Sequence, residues 1–392
     1  MLSVTDALDL VLARAARLEP QEVALADACG RTVAAPALAS VDLPPFPSSS
    51  MDGFAVRAAD LPGTLAIVGE SAAGRPAERP VGTGEAIRIA TGAVVPDGAD
   101  AVVPIESSAV TGETVAFLDN CDVGSCIRPR GGDVGVGDVV LVEGTTIRAP
   151  QVGALAAAGI TAVTCARIPH VAVLSTGTEL RLPGAPLGPG QIYDANGPML
   201  RAQLESAGAR VEVVPAVRDD PQALAGALER GLQADVLITT GGVSVGPHDL
   251  VRRAESELGV EEVFWRVAVR PGKPIAFGVR GATLVFGLPG NPVSALVGFE
   301  LFIRPALRAL QGAADPRPPF LPGRLTAPVR RDGRETLLRA RATVEDGVVL
   351  LEPLRGQESH MIARTATANA LVLVPSGEGE LATGDTVSYL VI

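Results

Sequence analysis

At 392 residues, 47 % of them hydrophobic and only 3 % aromatic, the chain is too long for one ordinary core. Roughly two to three folded units built on Val, Leu, Ala and Ile are expected, at about 150 residues each. A net charge of −11 opposes non-specific binding to nucleic acid, and no apolar run reaches the roughly 18 residues that span a bilayer. Asp6 and Asp9 stand where a secretory leader carries Lys or Arg, so the cytoplasm is the expected compartment, and Cys29, Cys121, Cys126 and Cys165 form no CxxC pair that would suggest zinc or a disulfide framework.

In chain order, Ser3 is placed to cap a first helix, with Asp6 near its positive end and Leu8, Val11, Leu12, Ala15 and Leu18 on one face. The extended VDLPPFPSSSMDGFAV follows, where Pro44, Pro45 and Pro47 forbid helix and MDGF reads as a turn into a strand. From Phe54 to Val142 short apolar runs (LAIVGE, EAIRIAT, AVVPIE, TVAFL, DVVLV) alternate with Gly, Asp and Pro turns, which predicts a β-rich domain. QVGALAAAG at 151–159 predicts a short helix that joins the first one in a linking domain made of two separated segments.

Between 170 and 312 the strands HVAVLS, RVEVVPAV and DVLITT alternate with helices starting near Asn196, Asp220 and Asp249, the pattern of a doubly wound α/β domain. Asp220-Pro221 and Asn291-Pro292 each pair a capping side chain with proline in the first helical position. FWRVAV, IAFGV and TLVFGL read as its last strands, and a proline cluster leads into a C-terminal β module containing LVLVP and TVSYLVI. The expected boundaries are 1–44 with 143–169 for the linking domain, 45–142 for the β-rich domain, 170–314 for the α/β domain and 315–392 for the C-terminal module.

Ligands of open α/β sheets bind beyond the carboxyl ends of the strands. Four loops therefore matter: LSTGTEL with Glu179, TTGGVSVGPHD with Gly241, Gly242 and Gly246, RPGKP, and LPGNP with Pro289 and Pro292. Glycines let backbone amides turn toward an anion, and Gly241, Gly242 and Ser244 are candidate substrate contacts. Of the 33 basic residues only Lys273 is a lysine, in a rigid Pro-Gly-Lys-Pro turn that suits a compact ammonium better than an arginine fork. The carboxylates Asp52, Asp133, Glu179, Asp219, Asp220 and Asp249 are hard donors that suit magnesium beside a phosphate, although several also read as turn formers or helix caps. Gly242-Val243-Ser244-Val245-Gly246 also matches a hydrolase nucleophile elbow, for which His170, His248 and His360 are the available bases. No Walker motif and no dinucleotide fingerprint occurs.

The ordered set PPFPSSSMDGFAV, RIATGAVVPDGADAVVP, RPRGGDVGVGD, VAVLSTGTEL, VRDDPQAL, TTGGVSVGPHD, VRPGKPIAFG, GLPGNPVSA and GQESHM resembles the molybdopterin molybdenumtransferase family, MoeA and the gephyrin E domain, along essentially the whole chain. The resemblance implies an elongated, four-domain homodimer with a MogA-like α/β domain, its cleft lying between that domain of one subunit and the N-terminal domains of the other. It implies that adenylylated molybdopterin and molybdate give molybdenum cofactor and AMP with Mg2+, and it suggests a molybdopterin adenylyltransferase as a partner that delivers the pterin. By matched position it carries function onto Asp52, Thr91, Asp133, Glu179, Asp219 or Asp220, Asp249, Lys273, Pro289, Pro292 and Ser359. Asp52, Glu179, Asp220, Asp249 and Lys273 are the expected catalytic set, with Glu179, Asp220 and Asp249 toward the metal. Arg270 stands where many relatives have lysine, which keeps the charge and changes its geometry. Two other readings are a non-catalytic dimeric scaffold of the same fold and a serine hydrolase using Ser244.

Overall fold

Helix α1 (Val4–Leu12) forms as its pattern predicts, with the Ser3 hydroxyl accepting from the Asp6 amide at 3.0 Å. The computed structural model describes residues 1–217, 221–241 and 250–392. Although α1 falls within 1–44, its apolar face packs on the α/β core: Ala7, Leu8 and Val11 are buried with Val171, Leu200 and Phe302. The expected grouping with 151–159 therefore does not hold for this helix.

Strands β1 (Gly53–Val56), β2 (Gly63–Ser71), β3 (Glu85–Ile89), β4 (Ala101–Pro104), β5 (Ala109–Thr111) and β6 (Thr114–Phe117) form one sheet in the order β4-β1-β3-β2-β6-β5. DVVLV does not join it. Val139–Leu141 pairs instead with Ala37–Leu38, and Leu141 is buried with Val23, Ile147, Leu155 and Cys165 in a separate small core. That core includes α2 (Ala149–Ala157) and is bordered by Pro20–Ala24 running antiparallel to Ala162–Ala166.

The central sheet holds β7 (His170–Thr176), β8 (Arg210–Val217), β9 (Val236–Thr240), β10 (Glu261–Trp265), β11 (Ala276–Arg280) and β12 (Thr283–Leu288), in the order β8-β7-β9-β12-β11-β10. The first four in that order are parallel, whereas β11 and β10 run antiparallel to their neighbours. Because strand side chains alternate, Val171, Val173, Ile238 and Phe286 face one layer while Ala172, Leu174, Leu237 and Val285 face the other. The first layer holds α3 (Asn196–Ser206) and the run α6 (Pro292–Gly298), a π turn at Phe299–Ile303, and α7 (Arg304–Leu310). The second holds α4 (Pro221–Gly231) and α5 (Leu250–Glu257). Each fully buried Val, Leu or Phe here contributes about 1.5–3 kcal/mol of transfer free energy, which makes the pattern of apolar runs decisive for the layer order.

FWRVAV is not one strand. Arg266 takes a positive φ of 78°, the chain leaves the sheet after Trp265, and Val269–Arg270 pairs with the C-terminal module. That module comprises β13 (Leu321–Leu325), β14 (Glu335–Glu345), β15 (Val348–Pro353), β16 (Ala370–Val374) and β17 (Thr386–Val391), and the β14–β16 pairing closes β14-β15-β13-β17-β16 on itself. Closure removes the exposed edges of the sheet. Among the described residues, no helix is long and apolar enough to cross a membrane.

At the amino edge of the central sheet Arg167 grips Asp235 with two bonds of 2.6 Å and Glu19 with a third of 2.9 Å, while Asp235 also accepts from the His170 amide. Burial pushes the Asp235 carboxyl up, but the Arg167 fork and the amide outweigh it and hold it below its ordinary value. Such a group stabilises the fold above the unfolded carboxyl's value of about 3.9, and the contribution is lost as pH falls through the lower folded value. Asp235→Asn is expected to cost about 1–2 kcal/mol in urea melts at pH 7. The deficit should be smaller at an acid pH below the unfolded carboxyl's value of about 3.9, because the tether's contribution is lost as pH falls toward the lower folded value. Equal deficits at both pH values would contradict this account of the tether.

Candidate active site

The parallel strands end in polar residues at one edge, and a cleft of about 900 Å³ opens there. Its walls come from the loop after β7, the start of α3, the loop after β9, the turn from β12 into α6, and the C-terminal module. One side chain cross-links three of these segments: the Asn196 Nδ2 donates to Thr240 Oγ1 at 2.7 Å and to the Gly290 carbonyl at 2.9 Å. Asp194, also nearly buried, accepts from the Gly197 amide at 3.0 Å and so satisfies one backbone donor at the start of α3. Among the described residues, Ser175 Oγ and Asn196 Oδ1 are buried at the lining of the cleft without a hydrogen-bond partner, an uncommon condition for buried polar atoms.

The turn after β9 requires glycine. Gly241 has a φ of 90°, and a Cβ there would lie 2.4 Å from the Thr176 carbonyl oxygen, so the backbone passes close to the neighbouring strand end. Pro292 occupies the first position of α6 as expected, but Asn291 makes no capping bond; its exposed side chain lines the cleft instead.

Of the expected site residues, Glu179, Gly241, Pro289 and Pro292 line this cleft together. Glu179 is exposed there. Lys273 precedes β11 rather than following a strand of the central sheet, but β11 is antiparallel, with Ala276 beside Gly287, so the turn lies at the same sheet edge as Gly241. Pro274 forms part of the wall and Lys273 beside it is exposed, with no side-chain partner among the described residues. Ser359 enters through its backbone: its carbonyl accepts from the Val293 amide at 3.1 Å, next to His360 on the wall. Asp219, Asp220, Gly242, Ser244, Gly246, His248 and Asp249 lie outside the described residues.

Other expected residues are elsewhere. Asp52 and Thr91 meet each other, the Thr91 amide donating to Asp52 Oδ1 at 2.7 Å, and the Asp52 carbonyl accepts from Ile105, so both belong to a loop cluster of the N-terminal sheet. Asp133 is exposed, with its amide donating to the Leu43 carbonyl. Arg270 lines a second cavity of about 880 Å³, beside the C-terminal module, and pairs with Asp332 at 2.8 Å. The Arg270 fork and the Gly333 amide hold the Asp332 carboxyl below its ordinary value. His170 starts β7 at the far edge of the sheet, 3.6 Å from Glu212, which removes it as a base for the cleft.

Sequence reasoning passed over Asn196, read only as a helix start, and His360, considered only as a hydrolase base. A polar Asp-Ala-Asn run directly before a helix was the available signal for the first. The second stands in the GQESHM stretch, but nothing in that segment shows that it reaches the cleft, which depends on the tertiary docking of the C-terminal module.

The chain matches the family model of the MoeA N-terminal region (domain I and II) over residues 2–159, a probable molybdopterin binding domain over 172–309, and the MoeA C-terminal region (domain IV) over 322–392. It is 38 % identical over 381 residues to molybdopterin molybdenumtransferase 2 of Mycobacterium tuberculosis, covering 93 % of both chains. It is 35 % identical to the molybdopterin molybdenumtransferase of Haemophilus influenzae, over 93 % of this chain and 92 % of that one. A crystal structure of the molybdopterin biosynthesis MoeA protein of Pyrococcus horikoshii superposes with a TM-score of 0.87 at 27 % identity over all of both chains. A second from that organism gives 0.83 at 30 % identity, over 100 % of this chain and 99 % of that one. The chain belongs to the molybdopterin molybdenumtransferase family and is an enzyme of that family.

Proposed function

We propose that this enzyme inserts molybdenum from molybdate into adenylylated molybdopterin and releases AMP, completing the molybdenum cofactor in the cytoplasm. The observation that carries the reading is the convergence of Glu179, Gly241, Pro289 and Pro292 on one cleft, with the lone lysine's turn on the same sheet edge. Family membership supplies the substrate class.

The phosphoanhydride and molybdate are both anionic, so the first requirement is local positive potential in an acidic protein. Lys273 supplies a mobile ammonium, while the amino ends of α3 and α6 face the cleft with their amide dipoles. Gly241 lets the backbone come close to a phosphate without a side chain between them. Asn196 holds three wall segments in fixed relation, and rigid placement of this kind is the main catalytic resource for a transfer that needs no covalent intermediate with the protein.

Magnesium fits the chemistry of the donors present, since the carboxylates on the cleft are hard oxygen ligands and Glu179 has no other partner among the described residues. Those residues alone contain no cluster of three candidate ligands; Glu179 would hold the ion with Asp220 and Asp249. Bound there, magnesium would neutralise charge on the leaving phosphate. Asp52, Thr91 and Asp133 stand on the N-terminal sheet and its loops, and we assign them to the facing wall contributed by the second subunit of a homodimer. A molybdopterin adenylyltransferase would deliver the pterin.

Lys273→Ala should slow AMP release by roughly 10- to 100-fold with unchanged melting, because a charge aimed at the phosphate is lost from an exposed side chain. Release at the wild-type rate would exclude the anion role. Mixing Asp52→Ala and Lys273→Ala subunits should restore activity, since one of the two clefts in a mixed dimer is then intact. No gain over the separate variants would rule out a cleft shared between subunits.

A further inference from the structure

Among the described residues the largest fully buried side chain is Arg339 on β14, at 0 % exposure, and none of its hydrogen-bond partners there is a carboxylate. Its Nη1 donates to the Met361 carbonyl at 2.6 Å and to Thr365 Oγ1 at 3.0 Å. Its Nη2 donates to the carbonyls of Gly356 at 2.6 Å and Glu358 at 3.3 Å, while Nε has no partner among the described residues. The backbone repeats the grip: Arg339 N donates to Gln357 Oε1 at 3.1 Å, and Gln357 Nε2 donates back to the Arg339 carbonyl at 2.9 Å. The loop is tight around this centre. Gly356 has a φ of 76°, and a Cβ there would come within 2.7 Å of the Met361 sulfur.

A buried cation whose hydrogen-bond partners among the described residues are all neutral is a poor source of stability, because desolvation is costly and the charge of Glu358, opposed by that of Arg364, offsets little of it. What the guanidinium does supply is geometry: one planar fork gathers three carbonyls of a single loop, which an ammonium cannot do. That same loop crosses to the α/β domain, where the Ser359 carbonyl meets the Val293 amide and His360 and Ile362 line the cleft.

We infer that Arg339 is a positioning residue of the active site, folding the 356–365 segment around its guanidinium so that His360 and the Ser359 backbone are held against the rim of the cleft. It does not touch the cleft itself. The kinetic arm of its test rests on the proposed reaction; the structural arm does not.

The full-length protein carrying Arg339→Met, which keeps the length and removes the donors, is compared with Arg339→Lys, which keeps the charge. Amide exchange within 356–365 should rise about tenfold in Arg339→Met, the effect of leaving buried carbonyls unpaired, with β7, β9 and β12 unchanged. KM for the adenylylated pterin should rise about tenfold with a much smaller change in kcat, and Arg339→Lys should recover part of both effects. Arg339→Met combined with His360→Ala should be no worse than the more impaired single variant, because the two act through one loop.

Unchanged exchange in the loop, or effects of the two substitutions that multiply, would overturn the inference. A uniform loss of stability with KM unaltered would reduce Arg339 to a structural staple and also overturn it. If Arg339→Met does not fold, the same three readouts on Arg339→Lys decide the matter. If the wild-type protein releases no AMP from the pterin substrate, the proposed reaction fails while the exchange experiment still judges Arg339.

Discussion

The strands β7, β9 and β12 are apolar on both faces, and burial of those faces leaves their carboxyl ends as the place where the central sheet can present polar groups. Thr176, Thr240 and the Pro289 carbonyl gather there, and Asn196 draws them together through Thr240 and Gly290. These bonds are buried or partly buried, so a change in one strand's register would leave polar groups unpaired at a cost of about 1–3 kcal/mol apiece. The cleft is thus specified by the same packing that specifies the sheet.

Two attachments relate the other units to that edge. At the far edge of the sheet Arg167 ties Asp235 to Glu19 of the small helical unit. On the cleft side the C-terminal barrel contributes Leu337, Leu371 and Leu390 to the central core and brings its 356–365 loop to the rim. The loop therefore arrives on a rigid support, and its own conformation depends on the buried fork of Arg339.

Legibility in the sequence followed the length of the interactions involved. Val171–Leu174 and Val236–Thr239 were readable as buried strands because every residue is apolar or β-branched, and Pro292 marked a helix start through its fixed φ. Trp265 and Val269 looked like one strand because nothing local announces that Arg266 takes a positive φ and redirects the chain. Val139–Leu141 has a good strand pattern but finds its partner at Ala37–Leu38, a choice made by tertiary contact alone. The same holds at the site. Glu179 and Gly241 follow strands and could be found by topology, whereas His360 reaches the cleft from a different module and Arg270 is drawn away by Asp332.

The central claim is that the anionic end of the substrate sits at the carboxyl edge of the central sheet, between the Gly241 turn and Lys273. A crystal structure of the protein with AMP and magnesium tests it most directly. The account predicts the phosphate within hydrogen-bonding reach of the Gly241 turn and of the Lys273 ammonium, with Glu179 facing the ion. A phosphate bound instead in the cavity beside Arg270 and Asp332, with the Gly241 edge empty, would contradict it.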